Sequence, residues 1–265
     1  MLPRTMEELY DFIRWDPARA VMTAAHRGGP QAGESENSLT TFARAVERGA
    51  TFCEIDVRRT TDGVYWLHHD NTLERTTTGS GAAVDCSLAD LQALELRDMV
   101  GEPTGERILL LDEMIEWARG RALLYVDVKP PLSYAEVQRY LQERDAEHLS
   151  VTLTYSIRDT LAVHAASPQA VIYAMTPEER RVRELLACGI PHRQLIASIQ
   201  EHTPTDMYDL LHDHCISVDY PGWAGTDRRA VEHGPAAYRP AIESGCDIVN
   251  TDQVTLVHRA AEMYG

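Results

Sequence analysis

The sequence predicts an α/β protein, a (β/α)8 TIM barrel with a small insertion after the third extended segment. Apolar, β-rich runs alternate with segments of helical period along 265 residues, which implies a parallel sheet. No Gly-x-Gly-x-x-Gly follows the first run, as an open doubly wound sheet with a dinucleotide site would have. Polar residues instead gather at the C-terminal ends of several runs: His26, Asp56, His69, Asp127 with Lys129, Ser156 and Asp252. A barrel carries its chemistry on that rim.

Residues 1–20 mix charges through their apolar positions and read as a short amphipathic helix, without the apolar run of a secretory signal. Extended segments are expected at 21–27, 51–57, 64–70, 122–128, 150–156, 170–175, 194–199, 216–220 and 246–251. Helices are expected at 38–49, opened by a capping Ser38 and closed by Gly49, and at 110–120, 133–145, 177–189 and 205–215. Nine extended segments exceed the eight of a barrel, and only Arg59-Thr-Thr-Asp-Gly63 joins the second to the third, too short for a helix. Residues 71–121 are too many for one loop and helix. An inserted segment is therefore expected at about 71–110, opening with the hydroxyl- and glycine-rich stretch 71–81 and carrying a helix at 87–94, within a single domain over 1–265.

A formal charge of -16 excludes broad nucleic-acid or anionic-membrane binding, both of which need a basic face. No run approaches the ~18 apolar residues of a membrane span, so no stable membrane anchor is expected. The five cysteines, Cys53, Cys86, Cys188, Cys215 and Cys246, have neither disulfide nor zinc spacing and are expected to pack as small hydrophobes. The absence of a secretory-type apolar run in residues 1–20 makes cytoplasm the expected location. An anionic substrate is repelled by such a chain as a whole, so a phosphate site requires concentrated local positive charge.

Glu54 and Asp56 lie two apart on a strand and share a face, with Cys53, Ile55 and Val57 on the other. Unless one stays protonated, two inward carboxylates need a cation or a basic side chain between them; a salt-bridged pair at the rim is the bland alternative. Asp127 and Lys129 repeat the spacing inside an apolar run. Three carboxylates suit a hard cation, Mg²⁺ or Ca²⁺, better than zinc. His26 ends one strand, before Arg27, and His69 ends another, before Asp70; alternation turns His68 away from it. His212 and His214 flank Asp213 on a helix and are expected on a solvated face. Tyr220 and Trp223 offer aromatic faces to a choline-like group, with core or loop packing the alternative.

The ordered set His26-Arg27-Gly28, Glu36-Asn37-Ser38, Glu54-Ile55-Asp56, Asp62-Gly63, His69-Asp70 and Arg75-Thr-Thr-Thr-Gly79-Ser-Gly81 resembles the glycerophosphodiester phosphodiesterase family. The resemblance is close over 24–81 and looser at 127–129 and 250–252. It implies a TIM barrel with an insertion after His-Asp, and Mg²⁺- or Ca²⁺-dependent hydrolysis of glycerophosphodiesters to sn-glycerol 3-phosphate and an alcohol. Carried over residue by residue, His26 and His69 become the acid–base pair, and Glu54 and Asp56 metal ligands. Arg27 and Lys129 would meet the small-molecule phosphodiester, and Trp223, by its aromatic face rather than by the resemblance, is the candidate contact of its leaving group. The family usually supplies its third ligand from Glu-x-Lys, which here reads Asp127-Val128-Lys129, one methylene shorter; Ser35 stands where the family more often has proline. Rival readings are a phosphodiesterase of lysophospholipid or sphingolipid head groups, a barrel that binds phosphodiesters without turnover, and an unrelated metal-dependent barrel enzyme.

Overall fold

The computed structural model describes every residue, Met1–Gly265. Helix α1 (Met6–Ile13) begins where the Glu8 amide donates to the Thr5 hydroxyl, and β1 (Met22–Ala25) follows. Next come α2 (Leu39–Glu47), started by Ser38, and strands β2 (Phe52–Arg59) and β3 (Tyr65–Leu67). The following stretch holds α3 (Leu88–Gln92), with a reciprocal Ser87–Asp90 cap, and a hairpin of β4 (Glu95–Arg97) and β5 (Pro103–Arg107). Alternation then resumes: α4 (Leu111–Ala118), β6 (Leu123–Val128), α5 (Tyr134–Glu143), β7 (Ser150–Thr154), α6 (Ile157–Ala166), β8 (Val171–Met175) and α7 (Glu179–Leu186). It continues through β9 (Leu195–Ser198), α8 (Thr205–Asp213), β10 (Ser217–Pro221), α9 (Thr226–His233), α10 (Arg239–Glu243), β11 (Ile248–Thr251) and α11 (Val254–Tyr264).

Strand β1 pairs in parallel with both β2 and β11, while β2 meets β6 and β6 to β11 pair in succession, so eight parallel strands close into the expected barrel. The ninth extended segment resolves as β3, which lies antiparallel on the end of β2, with Val57 opposite Leu67. That geometry explains its short link: an antiparallel neighbour needs only a turn, whereas a parallel one needs a crossover.

Side chains of two parities divide the space. On β2, Cys53, Ile55 and Val57 join the apolar layer beneath the helices. Within the barrel, the hydroxyls of Tyr125 on β6 and Tyr173 on β8 both reach Asp219 on β10, 3.5 and 2.9 Å away. These strands are not neighbours, so the contact is made through the lumen. Helix α1 packs Leu9, Tyr10 and Ile13 against the ends where strands enter, with Tyr10 donating to the Gln169 carbonyl and Ser217 to that of Ile13.

No helix is long and apolar enough to cross a membrane. All five cysteines are free; Cys53, Cys86 and Cys246 are buried, and Cys188 and Cys215 are half-buried. His214 is exposed as expected. His212 is not on a solvated face: its ring stacks on Trp15 and its Nε2 meets Asp247 Oδ2 at 2.9 Å. Gly245 at the end of α10 packs against the same imidazole, an approach between sequence-distant elements that helix periodicity does not reveal.

Candidate active site

Strand β2 and the turn after β1 build the centre. His26-Arg27-Gly28 forms a tight turn in which Arg27, Gly28 and Gly29 all have positive φ (50°, 92° and 60°). A Cβ on Gly28 would stand 2.8 Å from Thr41 Cγ2, so glycine is required there by backbone sign and by space. The turn points the Arg27 amide at Glu54 Oε2, 2.9 Å away, and brings the guanidinium 3.6 Å from Asp56 Oδ2.

Glu54 and Asp56 face inward together as their spacing requires, and β6 places Asp127 directly opposite Asp56. One oxygen from each of Glu54, Asp56 and Asp127 falls within 4.8 Å of the others, and all three residues are buried. Lys129 Nζ lies 2.9 Å from Asp56 Oδ1 and donates to Asp127 Oδ2 at 2.6 Å. Asp127 Oδ1 is buried without a hydrogen bond, and Asp56 Oδ1 has no well-aligned donor. A carboxylate oxygen left without a partner in the interior, as Asp127 Oδ1 is, is costly unless a cation meets it, and three converging carboxylates fit a hard divalent ion. Burial and the neighbouring Asp56 charge push Glu54 up from the usual carboxylate range. Asp56 is driven the other way: burial opposes its charge, but Lys129, Arg27 and His69 outweigh it.

The two histidines approach from different elements and share one design. His26 Nδ1 donates to Asp252 Oδ1 at 2.9 Å, and His69 Nδ1 to Asp70 Oδ1 at 2.7 Å. In each ring a carboxylate fixes tautomer and orientation and leaves Nε2 free of protein partners. Burial alone would lower the pKa of His26, but its Asp252 bond and the Glu54 charge raise it; His69 is lowered by burial, with Lys129 and Arg27 adding to the effect. Trp223 stacks on His26 with ring centroids 4.9 Å apart and 11° between planes. Tyr220 is buried, and its hydroxyl is paired with that of Thr226, so it packs in the core.

All eight residues singled out from the sequence lie on the C-terminal rim. Several others complete the arrangement. Asn37 donates to Asp56 Oδ2 at 2.7 Å, and Arg75 bridges Asp70 and the buried Glu36. Both sit in motifs visible in the sequence, though their partners do not. Arg58, buried on the same strand parity as Glu54 and Asp56, donates to the carbonyls of His68, His69 and Pro130 and to Asn71 Oδ1. Its parity was the available signal. Tyr155, after β7, donates to Asp127 Oδ2 at 2.5 Å; nothing local in the sequence marks it.

A (β/α)8 barrel with a buried carboxylate trio and two carboxylate-oriented histidines on its rim has the makings of a hydrolase of anionic esters. The profile of the glycerophosphoryl diester phosphodiesterase family matches residues 26–209, and the chain belongs to that family. It is 38% identical over 117 residues to glycerophosphodiester phosphodiesterase 1 of Mus musculus, covering 43% of this chain and 35% of that one. It is 26% identical over 195 residues to the glycerophosphodiester phosphodiesterase of Bacillus subtilis (strain 168), covering 70% and 63%. The match thus spans under two thirds of either relative. A glycerophosphoryl diester phosphodiesterase from Parabacteroides distasonis superposes with a TM-score of 0.93 at 26% identity, over 100% of this chain and 94% of that one. An Oleispira antarctica phosphodiesterase in complex with the product sn-glycerol-3-phosphate shares the fold, with a TM-score of 0.74 at 19% identity over 96% and 99% of the chains.

Proposed function

We propose that this chain hydrolyses glycerophosphodiesters to sn-glycerol 3-phosphate and an alcohol by acid–base catalysis between His26 and His69. The observation that carries the reading is the pair of imidazoles, each held at Nδ1 by its own carboxylate, beside a three-carboxylate centre. Glu54, Asp56 and Asp127 would hold one divalent cation, Mg²⁺ or Ca²⁺. Bound there, it supplies positive charge to the nonbridging phosphate oxygens. Arg27 and Lys129 add charge to those oxygens and orient the diester. One histidine takes the proton of the neighbouring glycerol hydroxyl as its oxygen bonds to phosphorus. The bond to the leaving alcohol breaks, and the other histidine protonates that oxygen at Nε2. Water then opens the cyclic phosphate with the two proton roles exchanged. Trp223, 42% exposed beside His26, flanks the leaving group.

The domain acts as one unit over 1–265 with its insertion at about 71–110, and it works in the cytoplasm, a reading supported by five unpaired thiols. The test is release of sn-glycerol 3-phosphate from a panel of glycerophosphodiesters, with EDTA and then with Mg²⁺ or Ca²⁺ restored. Release that returns with the cation, and that His26→Ala and His69→Ala each cut by about 10²- to 10⁴-fold, is expected. No release with any substrate or cation, or near-full activity in either variant, would overturn the proposal.

A further inference from the structure

Asp127 is one methylene shorter than the glutamate the family resemblance leads one to expect, and its reach depends on how its carboxylate is turned. Two donors settle that orientation by holding the same oxygen: Lys129 Nζ at 2.6 Å and the Tyr155 hydroxyl at 2.5 Å both meet Oδ2. With Oδ2 taken from two sides, Oδ1 is the oxygen left over for a cation. Oδ1 is the buried atom without a partner, and Asp127 completes the trio with Glu54 and Asp56.

Tyr155 is well placed for this work. It lies between the end of β7 and Ser156, whose hydroxyl accepts from the Asp159 amide to start α6, so its backbone is anchored on both sides. The residue is 50% exposed, and its one side-chain hydrogen bond is the part-buried one to Asp127. Lys129 alone would leave the carboxylate free to turn, because the ammonium is shared with Asp56 and sits on a flexible stem.

We infer that Tyr155 is a positioning residue of the cation site, whose hydroxyl holds Oδ2 of the shortened Asp127 so that Oδ1 can ligate directly. The inference rests on the function proposed above. A carboxylate ligand anchored through its second oxygen commonly loses 10- to 100-fold in metal affinity when the anchor is removed.

The test is calorimetric titration of EDTA-stripped protein with MgCl₂ and with CaCl₂, comparing wild type, Tyr155→Phe and Tyr155→Phe/Asp127→Glu. Thermal unfolding of each stripped form checks that the fold survives. The single variant should bind the cation at least about 10-fold more weakly with unchanged melting. The double variant, whose longer carboxylate no longer needs the anchor, should return to within about threefold of wild type. Tyr155→Phe binding within about twofold of wild type overturns the assignment, as does a double variant no tighter than the single. Wild type that binds neither ion defeats the cation reading itself, and this inference with it. Wild type that binds while Tyr155→Phe matches it defeats only the role of Tyr155.

Discussion

Replacing Asp219 with asparagine should remove a pH dependence that one buried acid imposes on the whole barrel. Asp219 is fully buried on β10 and accepts from the hydroxyls of Tyr173 at 2.9 Å and Tyr125 at 3.5 Å, with no cation beside it. Burial pushes it up to about 8, although both tyrosines favour its charge. Unfolded, the same group titrates near 3.9. Between those values the folded state holds a proton that the unfolded chain has released. Stability contributed by the neutral acid is therefore complete below pH ~4, falls through the window and levels off above pH ~8. About 4 units at 1.36 kcal/mol each give a ceiling of about 5 kcal/mol, which relaxation and water entry reduce. Asparagine keeps the shape and an acceptor for Tyr173 without the titration. Urea unfolding of wild type and Asp219→Asn in excess EDTA, at pH 5 and 8.5, reads the difference; subtraction cancels the other titrating groups. The variant should gain several kcal/mol relative to wild type at the higher pH. An equal difference at both pH values would refute the reasoning.

Asp252→Asn removes the anion that favours the His26 imidazolium, so the His26 pKa should fall; the imidazole Cε1 proton resonance reports the titration directly, and an unmoved midpoint would count against the pairing. Arg58→Lys keeps a charge but cannot serve three carbonyls and an amide at once. The His69 turn should loosen, with turnover falling by about 10²-fold for a shift on the order of 1 Å, measured as kcat with thermal unfolding as control.

The barrel is legible because strand and helix periods alternate, and the Glu54/Asp56 pair because spacing alone assigns a face. The hairpin β4–β5 escaped: Pro103–Arg107 alternates exposed with half-buried residues, so neither face carries the apolar pattern that announces a strand. His212 is half-buried instead of solvated because its partners, Trp15 and Asp247, come from elsewhere in the chain. The same limit hides the pairing of Asp252, itself legible on the rim, with His26, 226 residues away. Local periodicity specifies which way a residue faces, whereas its partner depends on how the sheet closes.

The span 26–209, which carries the family signature, ends inside α8, before β10 and β11. A fragment cut there would lack the strand on which β1 closes at Met22–Ala25, and His26 would lack its carboxylate. Such a fragment would expose two sheet edges, as templates for association with other chains. Any excised or grafted version should therefore keep Thr251-Asp252, because the recognisable stretch ends before the barrel closes.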